Sequence, residues 1–506
     1  MARTPLMHLL RRAIAQADHD ASRRTFIKTS AMAAAAVATP ALLQSCGKTS
    51  SIKVDRTVKV AVVGAGLAGL HATWLLKKAN VNVELYEGSK RIGGRAFTGN
   101  NVVVEGGTAE LGGEWLDVSH SDMFSLAKTF GVDLIDKEAE AEGEEVFFFG
   151  GKAYSMDDIV KEIKPYLARI AEDAKRLPDS LADLRNSQAK ELDDVSLEDY
   201  MTKIGLSGWL RSLFDVAYLT EFGLETSELS ALSLITLIVT DIKDPDDPYV
   251  QFFGDGAEKY VLRGGVQGIT RGLAKDVEAC TLTNHMLTEL NQDGERYILT
   301  FNRDSETVKV AAEHVVLAIP FTILRDVTLN VDLPEIKRRV IQELAYGTNG
   351  KVLMGFKERF WEANNYSGGV LTELPLQLVW ENCHVRNPNG SGLTIFYGGK
   401  MAAVIKGMSD DELRTEFMKH LHAVWKFPDT VTPTRLYRMH WPDQPFVKAS
   451  YSCLGKGQWS EFYGVAGAPS GRLHFAGEHC SLNHQGYLNG GAETGRLSAE
   501  RILKTL

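Results

Sequence analysis

The clearest pattern of hydrophobic and polar positions runs from Thr57 to Arg95. A short apolar run over Val58–Val63 predicts a buried parallel strand, and helical spacing of apolar residues over Leu70–Ala79 predicts a helix. Apolar residues then alternate over Val81–Tyr86, which predicts a second strand that ends before Glu87. A strand, a glycine turn, a helix, a strand and an acid in this order are typical of a dinucleotide-binding βαβ unit.

The glycine turn that precedes the helix has the spacing that a bound pyrophosphate requires. Gly64 permits the tight turn, Gly66 lets the backbone approach the phosphates, and Gly69 lets the helix pack closely on the strand. Leu67 and Ala68 lie in this turn, just before the predicted helix N-terminus, where unpaired N–H groups and the helix dipole favour an anion. We therefore expect all five residues to hold a dinucleotide.

The acid at the end of the second strand completes this unit. Glu87 follows Gly69 by 18 residues, a spacing that places its carboxylate to accept hydrogen bonds from ribose hydroxyls. The less favoured alternative for this residue, taken alone, is a solvated acid at a strand end. We include Gly88, the next residue, among the predicted cofactor contacts.

Two later glycine segments distinguish a flavin from a nicotinamide. Arg91-Ile92-Gly93-Gly94-Arg95 resembles the second glycine motif of the flavin-dependent amine oxidases, a family that includes monoamine and polyamine oxidases. The resemblance implies that Arg95 closes over the phosphates of FAD. The segment AELGGEW resembles the family's next flavin-contacting segment, which implies contacts from Gly112, Gly113, Glu114 and Trp115.

The C-terminal part of the chain carries a further resemblance. FAGE followed by GYLNGGAETG is similar to the family's FAGE…GYMEGAVESG signature. It implies that Gly477 and Glu478 bind the ribityl or phosphate region and that the Leu488 N–H lies near the isoalloxazine. Tyr487 would form one wall of an aromatic cage around the substrate amine. The family's re-entry into the FAD domain implies a contact from Met286 at the adenine end.

Lys351 is the most informative single residue. It begins an apolar stretch that is closed by Phe360-Trp361, a pattern that in the family supplies a lysine holding a water at flavin N5. Burying a lysine is costly unless it has a partner, so a polar task is the reasonable interpretation. The competing interpretation is a lysine at a strand end whose ammonium reaches solvent.

The segment from Trp441 to Cys453 bears on how the flavin is attached and on the substrate cage. It resembles the family's W…PF…GSYS segment, with Ala449 where glycine is usual, and we count Trp441 among the catalytic residues. Covalently flavinylated members carry a cysteine in this segment, and our register places Ala449 at that position. We therefore expect non-covalent FAD, with Cys453 as the exception to test. The second aromatic wall of the cage is not evident in this segment.

The predicted fold class is α/β, with a Rossmann-like FAD-binding domain and an α+β substrate-binding domain. The resemblance implies that the FAD domain is discontinuous (56–125, 258–335 and 448–506) and that residues 126–257 and 336–447 form the substrate domain. Residues 119–260 read as a helical insertion, with helix starts at Ser196 and Ser227. Glu221 and Glu225 are interpreted as acids on solvated helix faces, and the less favoured alternative is that they face a substrate amine.

Residues 1–50 are interpreted as a leader and not as part of the fold. Two arginines in Ser22–Lys28 precede a short alanine-rich run, Ala31–Leu43, as in a twin-arginine export signal. Leu43–Gly47 resembles a lipoprotein box in which Cys46 is lipidated, although Gln44 is not the usual small residue. Two alternatives stay open: a periplasmic enzyme tethered to the membrane by a lipid, and a soluble periplasmic protein released by ordinary cleavage.

Composition excludes some classes of function. A net charge of −9 and the absence of a basic tract argue against nucleic-acid binding, and 44% hydrophobic residues are ordinary for a globular protein. Apart from Cys46, the cysteines are too scattered for a metal site and are interpreted as buried thiols: Cys280, Cys383, Cys453 and Cys480.

The resemblance implies an oxidase whose substrate is a small amine. Hydride transfer from the amine α-carbon to flavin N5 would give an imine and then an aldehyde, and O2 would reoxidise the flavin with release of H2O2. An L-amino-acid oxidase of the same fold is less favoured, because AELGGEW has no arginine for a carboxylate. An amine dehydrogenase with a cytochrome acceptor and a flavoprotein without turnover also stay open. A desaturase or porphyrinogen-type oxidase would lack Lys351 and the GYLNGG segment. The oligomeric state is expected to be a monomer or a homodimer.

Overall fold

The structure of the protein is a computed structural model that describes residues 53–137, 143–238 and 258–506. The predictions on the twin-arginine signal and on Cys46 therefore lie outside the described residues. The strands are β1 (Arg56–Val63), β2 (Val83–Tyr86), β3 (Thr98–Asn100), β4 (Thr108–Glu110), β5 (Leu134–Asp136), β6 (Glu144–Phe149), β7 (Lys152–Tyr154), β8 (Tyr260–Leu262), β9 (Thr281–Leu282), β10 (Met286–Asp293), β11 (Arg296–Arg303), β12 (Glu306–Leu317), β13 (Thr328–Asn330), β14 (Gly350–Phe356), β15 (Tyr366–Thr372), β16 (Leu378–Glu381), β17 (Ser391–Tyr397), β18 (Arg435–His440) and β19 (Leu473–Phe475).

The α-helices are named in the same way. They are α1 (Leu67–Lys78), α2 (Ser121–Phe130), α3 (Met156–Ala174), α4 (Lys190–Asp193), α5 (Leu197–Lys203), α6 (Gly208–Phe222), α7 (Leu232–Ile238), α8 (Gln267–Val277), α9 (Phe321–Leu324), α10 (Glu335–Glu343), α11 (Lys400–Gly407), α12 (Asp410–Trp425), α13 (Gln458–Phe462) and α14 (Leu488–Leu503).

The first sheet positions the glycine turn. Its order is β13-β10-β11-β12-β1-β2-β9, and β19 also pairs with β12. β1 lies parallel to both β12 and β2, with Val60 opposite His314 on one side and Val83 on the other. The carboxyl ends of β1, β2, β12 and β19 therefore meet at one edge, the edge at which ligands bind in open α/β sheets.

Two parts of this sheet differ from what the local sequence pattern predicts. The pattern predicts separate strands over Val308–Val310 and Val315–Ile319, but these residues form one strand, β12, because β1 and β11 hydrogen-bond to it along the residues between them. Conversely, the pattern predicts one strand over Thr281–Leu290, and the structure divides it into β9 and β10. Asn284 has a φ of 59° at the division, and a left-handed residue interrupts an extended run.

A second, seven-stranded sheet has the order β18-β14-β17-β16-β15-β6-β7. β14 lies between β17 and β18, and Lys351 pairs with Phe396 and Met439 across its two neighbours. β6 and β7 belong to the stretch that was predicted to be helical, which was therefore wrong for residues 144–154. The reason is visible in β6, where Val146, Phe147 and Phe149 are buried in a short β-branched and aromatic run that favours a strand.

The helical stretch itself was predicted in part. Ser196 caps α5 by accepting a hydrogen bond from the Asp199 N–H, as expected. Ser227 does not start a helix, because the chain there forms turns and a bridge between Ser196 and Ser230 before α7 begins. Glu221 is fully buried, not solvated. The Glu225 carboxylate accepts the backbone N–H of Lys400.

The observed class is α/β with two large sheets, as predicted. The first large sheet takes its strands from residues 56–86, 281–330 and 473–475, and the second from 144–154 and 350–440. The exact domain boundaries stay a prediction. None of the described helices is both long and apolar enough to cross a membrane.

The described cysteines form no disulfide. Three of them are buried as expected, whereas Cys280 is partly exposed.

Candidate active site

A cavity of about 430 Å³ opens at the carboxyl edge of the first sheet and extends to β14 and β16 of the second. It brings together every predicted site residue except Gly69: Gly64, Gly66, Leu67, Ala68, Glu87, Gly88, Arg95, Gly112, Gly113, Glu114, Trp115, Met286, Lys351, Trp441, Gly477, Glu478, Tyr487 and Leu488. Residues from both ends of the fold thus share one wall.

The glycine turn is built as predicted, with three different reasons for its glycines. Gly64 has a φ of 99°, and a side chain there would meet the Ala318 carbonyl. Gly69 stands behind the cavity, where a Cβ would lie 1.9 Å from the Gly64 carbonyl oxygen. A Cβ on Gly66 would meet nothing within 4 Å, and the residues that begin α1, Leu67 and Ala68, line the cavity with it. This is the geometry of an anion site at a helix N-terminus.

Glu87 is held by the turn that it faces. Its carboxylate accepts the N–H of Ala65 at 2.7 Å and the N–H of Ser89 at 2.8 Å. These bonds fix the carboxylate at the wall, and each oxygen retains a lone pair for a ribose hydroxyl. Met286 lies nearby, since its sulfur would be 3.2 Å from a Cβ on Gly88, and Phe446 covers the same glycine.

Arg95, which is partly buried, and Glu478, which is buried, form an ion pair with 2.7 Å between Arg95 Nη1 and Glu478 Oε1. The carboxylate also accepts the Ser452 N–H, the Ser452 hydroxyl and the Gly486 N–H. Burial alone would raise the pKa of Glu478, but the charge of Arg95 and these hydrogen bonds lower it to about 2. The arginine predicted to bind phosphate is therefore also the partner that ties the C-terminal segment to the glycine motif.

Lys351 is buried and points into the cavity wall. Its ammonium donates to the carbonyl oxygens of Glu110 (2.9 Å) and Gly112 (3.0 Å) and to Glu114 Oε2 (2.9 Å). An ammonium has three N–H bonds, so these acceptors occupy all of them. A water held by Lys351 must therefore take the place of one of these acceptors. The solvent-reaching interpretation is wrong, because the residue is only 4% exposed.

Glu114 is the centre of a hydrogen-bond network. The sequence analysis predicted only a flavin contact for this residue. Besides Lys351, its carboxylate accepts hydrogen bonds from Trp380 Nε1 at 3.1 Å and from His384 Nε2 at 2.7 Å. Burial would raise the pKa of Glu114, but the Lys351 charge and the His384 hydrogen bond lower it to about 2. Trp380 and His384 lie at and beyond the end of β16, and only the register of the second sheet brings them here.

Tyr487 lies at the N-terminus of α14, buried beside the ring of His120, with 5.1 Å between the ring centroids. A second tyrosine, Tyr451, lines the same cavity and donates its hydroxyl to the Thr220 carbonyl. The segment Trp441–Cys453 therefore does contain a second aromatic residue at the cavity, contrary to expectation. The signal was present in the sequence, since Tyr451 stands in the ASYS stretch itself. Trp441 lies in the wall and donates Nε1–H to the Leu111 carbonyl.

The segment that bears on covalent attachment has a different register from the one expected. Ser450, not Ala449, lines the cavity, and its carbonyl accepts a hydrogen bond from Arg95. Cys453 is packed in the core on the other side of this segment. Among the described residues that line the cavity there is no cysteine.

Sequence reasoning missed several further lining residues. Phe396 on β17 and His285 before β10 reach the cavity through sheet pairing that no local pattern reveals. Gly491 lies in the GYLNGG stretch, so its signal was available. Glu258 carried no signal at all. No group of three or more potential metal ligands occurs within the described residues.

The residues present fit FAD. The N–H groups of the glycine turn suit a pyrophosphate, Glu87 suits a ribose, and the backbone at Gly112 and Gly113 is pressed against Arg95 and Leu488 where side chains would not fit. The fold and this cavity define an FAD-dependent oxidoreductase with a second sheet over its cofactor site. A family model described as flavin containing amine oxidoreductase matches residues 67–503, and the chain belongs to that family.

Comparison with individual proteins gives the same architecture at low identity. A probable flavin-containing monoamine oxidase A of Dictyostelium discoideum is 25% identical over 87% of this chain and 96% of its own. An L-amino-acid oxidase of Demansia vestigiata is 24% identical over 88% and 86%. A putrescine oxidase solved with putrescine bound matches 88% of this chain and 99% of its own, with a TM-score of 0.75 and 20% identity.

A second model, for the signal sequence of the twin-arginine translocation pathway, matches residues 20–40. This signal directs export of the protein across a membrane.

Proposed function

We propose that the protein oxidises a small amine to an imine, which water hydrolyses to an aldehyde, and that O2 is reduced to H2O2. When bound, FAD supplies the acceptor for a hydride from the carbon next to the amine nitrogen. The observation that carries the proposal is the shared cavity of Tyr451, Tyr487 and Lys351, whose wall provides both aromatic rings and a buried ammonium.

The aromatic rings and the apolar wall have a specific task in this proposal. Tyr451 and Tyr487 are held by their own elements, the first through its hydroxyl and the second as the residue that precedes α14. They bind the amine, orient its α-carbon and exclude water from it. A low-polarity site favours the uncharged amine, because an ammonium would lose its hydration there. The neutral form has the lone pair that drives hydride loss.

Lys351 is proposed to act in the oxygen half of the reaction. Its ammonium lies in the wall with Glu114 as counter-ion, so it provides a fixed positive charge at which O2 reduction is favoured electrostatically. Trp380 and His384 keep Glu114 ionised and in place and are therefore positioning residues.

The L-amino-acid oxidase alternative is less well supported by the cavity. A substrate carboxylate requires a cation with free donors. Arg91 and Arg95 are the arginines among the described lining residues. Arg91 donates to the Ile92 and Gly94 carbonyls, and Arg95 donates through Nη1 to Glu478 and to the Ser450 carbonyl. The remaining N–H groups of Arg95 and the ammonium of Lys90, which also lines the cavity, belong to the segment that is expected to face the FAD phosphates. Lys351 is likewise occupied by three acceptors.

The test is anaerobic bleaching of the purified flavoprotein by primary amines, secondary amines, diamines and amino acids. Without O2, bleaching reports substrate oxidation whatever the natural acceptor. We expect amines, and not amino acids, to bleach the flavin, and air to restore the colour with one H2O2 per turnover. Bleaching by amino acids alone would establish the alternative. Colour that returns only with an added cytochrome would establish a dehydrogenase, and no bleaching by any compound would favour a flavoprotein without turnover.

Three further properties are proposed on the same basis. FAD is bound non-covalently, so acid precipitation should release all of the yellow colour into the supernatant. The exported enzyme is periplasmic. If lipidation at Cys46 tethers it to the membrane, a Cys46→Ser variant moves from the membrane fraction to the soluble fraction, whereas a wild type that is already soluble indicates ordinary cleavage. Size-exclusion chromatography with light scattering distinguishes a monomer from a homodimer.

A further inference from the structure

Glu258 is a buried acid that the proposed reaction does not use. It lies two residues before β8, is 0% exposed and lines the cavity. Neither of its carboxylate oxygens has a hydrogen-bond partner among the described residues. More than nine in ten buried polar groups in proteins are hydrogen-bonded, so an orphaned carboxylate in a cavity wall points to a ligand.

The backbone holds Glu258 in this position at some cost. Its φ of 51° is a left-handed conformation that non-glycine residues seldom adopt. The conformation is fixed by a hydrogen bond of 2.6 Å from the Glu258 N–H to Asp117 Oδ1. The paired backbone bonds between Leu116 and Tyr260 add to this. The side chain is therefore placed at the wall by its surroundings, and strain of this kind accumulates at functional sites.

The charges around Glu258 favour a cation. Burial raises the pKa of Glu258 well above its usual range, Lys137 opposes this, and the acids Asp117, Glu221 and Glu114 raise it further. Lys137 lies over the Trp115 ring, with 4.1 Å from Nζ to the centroid. Lys351 is already matched by Glu114. Among the described groups that act most strongly on Glu258, acids therefore outnumber cations.

An ammonium or guanidinium ion would supply what the site lacks. It brings N–H donors to the orphaned oxygens and a positive charge to the surrounding acids, and charge-assisted hydrogen bonds of this kind are among the strongest in proteins. The nitrogen to be oxidised cannot serve here, because it has to be uncharged when its α-carbon reacts. The cation must be a second group of the same substrate.

We propose that Glu258 binds the distal cationic group of a substrate with two basic nitrogens, such as an unbranched diaminoalkane. The nitrogen to be oxidised then lies by Tyr451 and Tyr487. This inference rests on the proposed amine oxidation and names its substrate class. Glu258 is thus a specificity-determining residue, and the distance from it to the aromatic rings selects the length of the carbon chain.

The experiment compares 1,4-diaminobutane with 1-aminobutane in anaerobic rapid mixing with the flavin-loaded enzyme. The concentration dependence of bleaching yields a dissociation constant and a limiting rate separately. We expect the wild type to bind the diamine about 10- to 100-fold more tightly than the monoamine. Glu258→Gln should abolish this difference, leave the monoamine dissociation constant within about threefold, and change the limiting rate little.

Two further variants control for a general effect of losing one negative charge and for a Glu258→Gln protein that fails to bind flavin. Glu306→Gln changes an exposed acid on β12 in the same way and should retain the preference. Glu258→Asp keeps the charge but withdraws it by one methylene, so the best diamine should become one carbon longer. This second variant also decides the matter if Glu258→Gln does not take up flavin.

The outcomes separate the two proposals. If 1-aminobutane bleaches the flavin but the wild type shows no preference for the diamine, or if Glu258→Gln keeps that preference, the role of Glu258 is overturned and amine oxidation stands. If neither amine bleaches the flavin and amino acids do, the proposed function fails and this inference fails with it.

Discussion

Two buried carboxylates that line one cavity differ in almost every other respect. Glu478, which is predicted to bind the cofactor, accepts hydrogen bonds from Arg95, Ser452 and Gly486 and has a pKa near 2. Glu258, which we propose binds the substrate, has no partner for either oxygen in the described part of the chain, and burial raises its pKa. Burial alone therefore does not tell what an acid is for. A satisfied carboxylate joins segments of the protein, whereas an orphaned one indicates a missing ligand.

We expect the largest loss of stability from a substitution of Glu478, the carboxylate whose hydrogen bonds are satisfied. Glu478→Ala removes the partner of Arg95 and four accepted hydrogen bonds, and breaking a buried ion pair in this way costs about 3–5 kcal/mol. We expect most of the bound flavin and several degrees of the thermal midpoint to be lost. Flavin absorbance per protein and calorimetry measure both. A variant that keeps its flavin and its midpoint would show that the pair is not structural.

Low pH should break the ion pair between Arg95 and Glu478 in the wild type, because it protonates the carboxylate. Because the folded-state pKa of Glu478 lies at about 2, below the ordinary 4.5, its contribution to stability is complete above pH 4.5. It is lost as the pH falls from 4.5 towards 2. Denaturant unfolding at pH 6, 5, 4 and 3 should therefore show a difference between wild type and Glu478→Gln that shrinks with acid. A constant difference would contradict the low pKa.

Lys351→Met should leave Glu114 as a buried carboxylate without a neighbouring cation, which makes its environment more like that of Glu258. The carboxylate keeps His384 and Trp380 but loses its buried cation, which we expect to lower the free energy of unfolding by about 3 kcal/mol. The return of flavin colour in air should slow by about 100-fold, as when a preorganised charge is removed. In the double variant Glu114→Gln/Lys351→Met, stability should recover and the slow reoxidation should persist. Unchanged reoxidation in both variants would remove Lys351 from the oxygen step.

A substitution of Glu258, the carboxylate without hydrogen-bond partners among the described residues, should raise the free energy of unfolding. Replacing Glu258 by methionine removes a buried carboxylate that has no hydrogen-bond partner among the described residues, and we expect a gain of about 1–3 kcal/mol at pH 8. Since burial raises the folded-state pKa of Glu258 above the ordinary 4.5, ionisation of this group destabilises the wild type increasingly as the pH rises. The gain should therefore be larger at pH 8 than at pH 5. A loss of stability would mean that the carboxylate has partners after all.

The smallest effect is expected at an exposed pair. Glu313 and Lys59 are 2.6 Å apart, but both side chains are more than a third exposed. Glu313→Ala should change the free energy of unfolding by less than about 1 kcal/mol, since solvent and salt screen such pairs. The same denaturant titration measures it, and a larger loss would show that charge pairing by itself explains the effect at Glu478.

The local parts of the site could be predicted and the non-local parts could not. Glycine turns and helix starts depend on consecutive residues. The sequence alone is therefore enough to assign Gly64 and Gly66 to the turn and Leu488 to the start of a helix. Trp380 and Phe396 reach the cavity only through the register of the second sheet, which no short pattern encodes. Ser450 was missed by one residue, a shift that in extended backbone turns a side chain from one face to the other.

Glu258 could not be predicted for a further reason. An acid in a loop before a strand is ordinarily solvated, and its burial depends on what covers it. The roles of the predicted site residues stay predictions that the variants above test.

The position of β19 between the glycine turn and the chain end has a consequence for biosynthesis. β12 pairs with β1 from near the start of the fold and with β19 from near its end, and α14 follows β19. The nascent chain therefore cannot complete the cofactor cavity until the first turn of α14, which includes the lining residues Leu488 and Gly491, has left the ribosome. We expect flavin loading to follow the synthesis of this turn and, for a chain that carries a twin-arginine signal, to precede translocation. Removing α14 should yield a colourless precursor, whatever the N-terminal βαβ unit has already formed.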